Sequence, residues 1–260
     1  MLSWFCLSIY CESFVARRWY MAMKTFSTKV IEVSEIAEKT LAVRLEKPAD
    51  FSFVAGQYSV LAVPKLIEDD SRGTSRCMSI ASAPYEDHLL FAMRISESGY
   101  KKTISKLSPG DEMLVGAPVG QFTLLSGDQR PIVFLVGGIG ITPARSILRQ
   151  ANHDGDAREF FLFYSNYRPE DTPFLDELKT FPNISYHPIF TMTETDRSVC
   201  VWDADRGFIC DEMITKYLPD VKTPVYYLVG TPSFTKAMET LLAGYGIGKE
   251  GIKQDPFVGL

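Results

Sequence analysis

The chain has 260 residues, 46% of them hydrophobic and 23% charged, with a formal net charge of −5 and a pI near 5.3. That length and apolar share suffice for two modest hydrophobic cores. The acidic balance argues against nucleic acid, whose backbone calls for a basic footprint, but not against a nucleotide, which single cations and local dipoles can hold.

The first 22 residues contain Trp4, Phe5, Cys6 and Trp19 with a late Arg17–Arg18 pair. A secretory signal places its positive charge before its apolar core, and a spanning helix needs about 20 uninterrupted apolar residues. Neither pattern is present. Met21 and Met23 stand immediately before a strand-like run from Lys24 to Val30, so translation is expected to start there and the leader to be misassigned. The alternative is an interfacial anchor, aromatics beside two arginines.

From Phe26 to Val115 apolar and polar residues alternate with period two, broken by turns: Lys29–Val33, Leu41–Leu45, Tyr58–Val63, Leu89–Ile95 and Glu112–Val115. Several such strands at short spacing predict an antiparallel barrel. The helical window in this half is Lys101–Leu107, after Gly99 and before Ser108-Pro109-Gly110. Its N-terminus, with Lys101 or Lys102, suits a phosphate, and Arg76 on a nearby strand-like stretch offers a planar fork that can grip a pyrophosphate.

After a polar joint at Ser126–Arg130 the period changes. Apolar runs Ile132–Val136, Phe160–Tyr164, Tyr186–Phe190 and Val225–Val229 alternate with helical windows near Pro143–Gln150, Pro173–Lys179, Asp211–Tyr217 and Ser233–Ala243. Strand and helix in alternation predict a doubly wound parallel sheet, whose ligands bind outside the carboxyl ends of the strands. There Gly137, Gly138 and Gly140 give a tight turn, with Thr142 as the expected N-cap and Pro143 as the first helical residue. The segments Ser165–Arg168 and Gly230–Pro232 are expected to converge on the same place.

Cys6, Cys11, Cys77, Cys200 and Cys210 are scattered, and His88, His153 and His187 form no i, i+4 pair. No metal site is expected, and the cysteines read as free thiols in a reducing, cytoplasmic setting.

Taken in order, Gly56-Gln57-Tyr58, Arg76-Cys77-Met78-Ser79, Pro109-Gly110-Asp111, Gly116–Phe122, the Gly137–Pro143 turn, Tyr164-Ser165-Asn166, Phe174–Leu178 and Phe257–Gly259 resemble the ferredoxin-NADP reductase family, from about Lys24 onward. The resemblance implies an antiparallel β-barrel holding flavin over residues 23–125 and an α/β NAD(P)-binding domain over residues 126–260. It implies that Arg76, Cys77, Met78, Ser79, Met93, Ile95, Tyr100, Lys101, Lys102 and Thr103 meet the flavin, with Ser79 catalytic beside flavin N5. Gly137, Gly138, Gly140, Thr142, Ser165, Asn166, Arg168, Gly230, Thr231, Pro232 and Phe257 complete the implied cofactor sites.

The stretch Glu68–Gly73 resembles FAD-binding rather than FMN-binding relatives. Two departures stand out: Met78 where an aromatic residue is usual, and Leu260 where the C-terminal residue is commonly aromatic. Thioether–ring contact partly replaces the first. Tyr167 holds the place of an arginine frequent in NADPH users, and Asp171 suits a ribose hydroxyl, so the coenzyme preference leans to NADH over NADPH.

The implied activity is hydride transfer from NAD(P)H to FAD, then electron transfer to a separate acceptor, protein or small molecule, with no iron–sulfur segment in the chain. A component of a larger redox complex, active only when docked on its partner, is the alternative, and a flavin-free nucleotide-binding protein the third reading.

Overall fold

The structure is a computed structural model that describes residues 24–182, 184–190 and 205–257. The expectations on the leader, Cys200 and Leu260 lie outside these residues.

Two six-stranded sheets make up the fold. The first is antiparallel, in the order β4-β3-β6-β1-β2-β5. Its strands are β1 (Thr25–Ala37), β2 (Thr40–Glu46), β3 (Tyr58–Ala62), β4 (Ser75–Ser79), β5 (His88–Arg94) and β6 (Glu112–Gly116). The 13-residue β1 serves both halves of the sheet: Thr25–Lys29 pair with β6, and the stretch from Val30 onward pairs with β2. Irregularities between Val30 and Glu32 and between Glu35 and Ala37 bend it on the way. Just past β4, the Ala81 N–H donates to Leu90 O of β5 at 2.7 Å, which curls the sheet toward closure. The alternating residues Val43, Leu45, Leu61, Phe91, Met113 and Val115 fill the interior with Tyr100, each side chain removed from water contributing roughly 1.5–3 kcal/mol.

The second sheet is parallel throughout, in the order β10-β9-β8-β7-β11-β12. Its strands are β7 (Ile132–Gly137), β8 (Phe160–Asn166), β9 (Ile184–Phe190), β10 (Asp205–Arg206), β11 (Val225–Gly230) and β12 (Ile252–Pro256). Its central strands are covered on both faces, which is why they read as continuous apolar runs. Phe134, Val136, Tyr164 and Tyr227 pack into one core, with residues of α2 (Ile141–Asp154), and Val133, Leu135, Phe163 and Leu228 into the other. That second core includes residues of α4 (Asp211–Tyr217) and α5 (Pro232–Gly244).

Three expectations are corrected. The helix of the first half, α1, runs over Gly99–Ile104 and not Lys101–Leu107, because the Ser98 hydroxyl accepts from Lys101 N and starts it earlier. The helical window at Pro173–Lys179 shrinks to the single turn α3 (Leu175–Leu178). Cys77 is disulfide-bonded, whereas a free thiol was expected; Cys210 is free. Among the described residues no helix is long and apolar enough to cross a membrane.

Candidate functional site

The carboxyl ends of β7, β8 and β11, adjacent in the sheet, bring the three predicted segments together. β7 ends at Gly137 and passes through a 3-10 turn, Gly138–Gly140, straight into α2. Helix entry is therefore continuous, and Thr142 is not the N-cap: its hydroxyl donates to Ile139 O at 3.1 Å. The glycines divide the work. A Cβ on Gly137 would stand 3.1 Å from the Phe234 ring, and one on Gly140 would stand 2.8 Å from Val229 O, so these two serve packing inside the protein. Gly138 has φ +53°, and nothing lies nearer to its Cβ position than Arg94 Nη2 at 4.0 Å. It is the glycine that presents backbone to open space.

The turn is held from behind. The Tyr164 hydroxyl donates to Gly138 O at 3.0 Å, and burial raises this phenol well above its ordinary value. Asn166 is buried and bonds to Tyr164, while Ser165 is half-buried one residue earlier. Thr231 caps α5 by accepting from Phe234 N at 3.2 Å, with Pro232 at the first turn, and Gly230 O accepts from Phe257 N at 2.8 Å. Phe257 packs onto the adjacent core.

On the barrel, Arg76 and Met78 stand opposite the buried Leu61 and Ser59, and Cys77 and Ser79 opposite Val60 and Tyr58. Ser79 is buried, Cys77 exposed. Met93 and Tyr100 lie in the barrel core, with the Tyr100 hydroxyl donating to Leu61 O at 2.9 Å; Met78 packs against that core. Ile95 is exposed and donates its N–H to Lys39 O. Lys102 pairs with Glu68 and Glu97, and the Thr103 hydroxyl donates to Gly99 O at 2.7 Å.

Arg76 is committed to its own chain. Its Nη2 donates to Asp70 Oδ2 at 2.7 Å and its Nη1 to the carbonyls of Arg72, Gly73 and Ser75, with only 9% of the arginine and 5% of the aspartate side chain exposed. Burial alone would raise the Asp70 carboxyl; the N–H groups of Tyr100 and Arg72 and the Arg76 guanidinium outweigh it and hold Asp70 at about 2.

The two sheets meet at two seams. Arg94, at the end of β5, donates to Thr40 Oγ1 at 2.6 Å and to Asp171 O at 2.7 Å, and Arg168 pairs with Asp171 and with Glu38. On the other side Arg145 and Ser146 of α2 donate to Ala81 O and Ser82 O, and Arg145 and Arg149 share Glu86 and Glu177. Asp255, on β12, is close enough to Tyr58 to raise that phenol after burial has done so, and burial pushes its own carboxyl up to about 6. Arg94 and Asp255 were not singled out from sequence, because no local pattern marks a charged group whose partners, Thr40 and Asp171 or Tyr58, lie far away in the chain, and Asp70 was not because nothing in the run of acids says which one turns to Arg76 and Tyr100. Only the repeated acidity of Glu68-Asp69-Asp70 beside Arg76 was visible.

A phosphate-bearing cofactor fits the charges at Arg76, with Arg72 and Lys101 near enough that both arginines depress the Lys101 amine after burial has lowered it. It does not fit the arrangement as it stands, since the Asp70 carboxylate fills the grip.

The family described as oxidoreductase NAD-binding domain matches residues 134–240. The chain is 26% identical over 238 residues to the reductase component of propane 2-monooxygenase from Rhodococcus jostii, covering 88% of this chain and 63% of the relative. It is 26% identical over 244 residues to a reductase component of terephthalate 1,2-dioxygenase from a Comamonas species, covering 91% of this chain and 69% of the relative. The chain thus spans about two thirds of the length of these relatives. A ferredoxin NADP+ reductase from Neisseria gonorrhoeae shares the fold at a TM-score of 0.75 and 21% identity, over 90% of this chain and 99% of that one. In its matched NAD-binding region, in these relatives and in the pairing of an antiparallel with a parallel sheet, the chain is similar to the ferredoxin-NADP reductase-like oxidoreductases.

Proposed function

We propose that the chain is a flavin-dependent oxidoreductase that draws a hydride from NAD(P)H and passes electrons to a separate acceptor. One observation carries this reading: Gly138, the open glycine of the turn, faces the barrel, where a Cβ added to it would meet only Arg94 Nη2, 4.0 Å away at the end of a barrel strand, so the two halves present their sites to each other. In this reading the division falls between a flavin barrel over residues 23–125 and a nucleotide half over residues 126–260.

The nucleotide half would hold the coenzyme on the backbone of Gly138 and Gly230, with Ser165, Asn166 and Thr231 at the rim. Arg76 would take the flavin phosphate once Asp70 is displaced, and Ser79 would orient the reacting ring. Bound FAD supplies the redox chemistry, accepting a hydride and releasing electrons singly or in pairs. What the protein must do is align two rings at a near-attack distance of about 3–3.5 Å and exclude water, for which the two seams supply the rigidity.

NADH is favoured over NADPH. Arg168 is held by Asp171 and Glu38, and those carboxylates repel a 2′-phosphate. The acceptor is proposed to be a partner protein, as for a monooxygenase reductase component, or a small oxidant, and the setting cytoplasmic, where reduced coenzyme is supplied. Any membrane association is assigned to residues 1–22.

The test is an anaerobic absorbance spectrum before and after stoichiometric NADH. Yellow protein that bleaches supports the reading; colourless protein that neither takes up FAD nor oxidises NADH overturns it. Turnover with a small oxidant but no partner speaks for a stand-alone reductase. Reduction without turnover speaks for a component that works only when docked.

A further inference from the structure

The loop after β3 puts a carboxylate in the grip that the flavin reading assigns to a phosphate. Asp70 Oδ2 accepts from Arg76 Nη2 at 2.7 Å and from Tyr100 N at 3.0 Å, and Asp70 Oδ1 accepts from Arg72 N at 2.9 Å. The guanidinium carbon of Arg76 lies 4.8 Å from the Tyr100 ring centroid. One carboxylate therefore occupies both a charged fork and a backbone donor that converge on one point, the geometry by which proteins grip a phosphate oxygen.

The surrounding charge is larger than Asp70 can balance. Arg72, Arg76 and Lys101 are close enough for the two arginines to disfavour the charged Lys101 amine, and among the described residues no carboxylate pairs with Lys101. A group carrying two negative charges would answer this cluster better than a single carboxylate.

Beyond Leu66, which packs against the barrel core, the loop is fastened by polar contacts. Ile67 N donates to Thr103 Oγ1 at 3.1 Å, Glu68 pairs with Lys102, and the carbonyls of Glu68 and Asp69 lie over Gly99, where a Cβ would come within 2.4 and 2.8 Å of them. Ile67, Glu68, Asp69, Ser71 and Arg72 are all exposed. A segment with few buried apolar contacts opens at low cost.

We propose that Asp70 is a built-in competitor for phosphate at Arg76, and that the Leu66–Thr74 loop is a latch which a phosphate-bearing flavin must displace in order to bind. This rests on the flavin reading above. It follows that flavin is held weakly and exchanges, and that the phosphate, not the ring, meets the latch.

The test is equilibrium binding of FAD and riboflavin to the full chain and to Asp70→Asn, with limited trypsin digestion of the parent read by mass at Lys65 and Arg72. Asparagine keeps an acceptor for Tyr100 N but surrenders the charge. Asp70→Asn is expected to bind FAD at least tenfold more tightly, about 1.4 kcal/mol, and riboflavin within threefold of the parent. FAD is expected to speed cleavage at Lys65 and Arg72 several-fold, and riboflavin to leave it unchanged. Equal or weaker FAD binding by the variant, or protection of the two sites by FAD, overturns the latch while leaving the flavin reading in place. If neither protein binds riboflavin or FAD, both fall. Should the variant fail to fold, the digestion of the parent decides alone.

Discussion

The Ser146 hydroxyl donates to the Ser82 carbonyl at 2.6 Å, joining the helix that leaves the glycine turn to the chain that leaves the strand of Ser79. Arg145 beside it donates to Ala81 O and pairs with Glu86 and Glu177, with 5% of the residue exposed. Arg145→Met would leave two carboxylates sharing Arg149 alone in a buried seam. Urea unfolding is expected to show a loss of about 3 kcal/mol, the scale for breaking a buried pair from one side. A loss below about 1 kcal/mol would show the seam to be effectively wet.

Gly138 and Gly140 should separate function from fold. In Gly140→Ala the new methyl meets backbone at Val229 O, 2.8 Å away, so the turn or β11 must shift, at about 2–3 kcal/mol of overpacking. In Gly138→Ala the space is open and the φ of +53° costs only about 1 kcal/mol. The methyl would instead obstruct the coenzyme. We expect Gly140→Ala to lower Tm strongly, and Gly138→Ala to raise the KM for NADH at least tenfold with a small change in Tm. The reverse ranking would remove Gly138 from the site.

Asp255 makes stability depend on pH in an unusual direction for a carboxyl. Its folded value is about 6 against an ordinary 3.8, so between these the folded state binds more protons than the unfolded one. The contribution of the neutral carboxyl is full below 3.8 and lost as pH rises through about 6. Asp255→Asn keeps it at every pH. The variant should match the parent near pH 4 and exceed it by up to about 2 kcal/mol near pH 8, as read by urea unfolding at both. A constant difference would trace the effect to packing instead.

Arg168 tests coenzyme choice. Its guanidinium already answers Asp171 and Glu38, with 38% of the side chain exposed. Arg168→Ala is expected to cost no more than about 1 kcal/mol and to change the NADH-to-NADPH ratio of kcat/KM less than threefold. A shift of tenfold or more toward NADH would mean that the arginine leaves its carboxylates to hold a 2′-phosphate.

Much of the architecture was legible because burial imposes a period. Val133 to Val136 are covered on both faces and read as an unbroken apolar run, while Val43 and Leu45 alternate with exposed Arg44 and read as one wall of a barrel. β12 was not legible: Lys253, Gln254 and Asp255 have no strand pattern and become a strand because β11 offers them an open parallel edge. Thr142 shows the limit of local cap chemistry, since its hydroxyl turns back to Ile139 once the 3-10 turn runs directly into α2.

The sequence alone determined the order of the two sheets, the glycine turn at the carboxyl end of β7 and the presence of a fork-shaped cation at Arg76, because these depend on periodicity, backbone freedom and side-chain chemistry that neighbours in the chain express. Only the tertiary structure decided which glycine is open, because Phe234 and Val229 arrive at Gly137 and Gly140 from about ninety residues away. It alone decided that Arg76 faces Asp70 and that Arg168 faces Glu38. A charge finds its partner by position in space, and sequence distance carries no record of that.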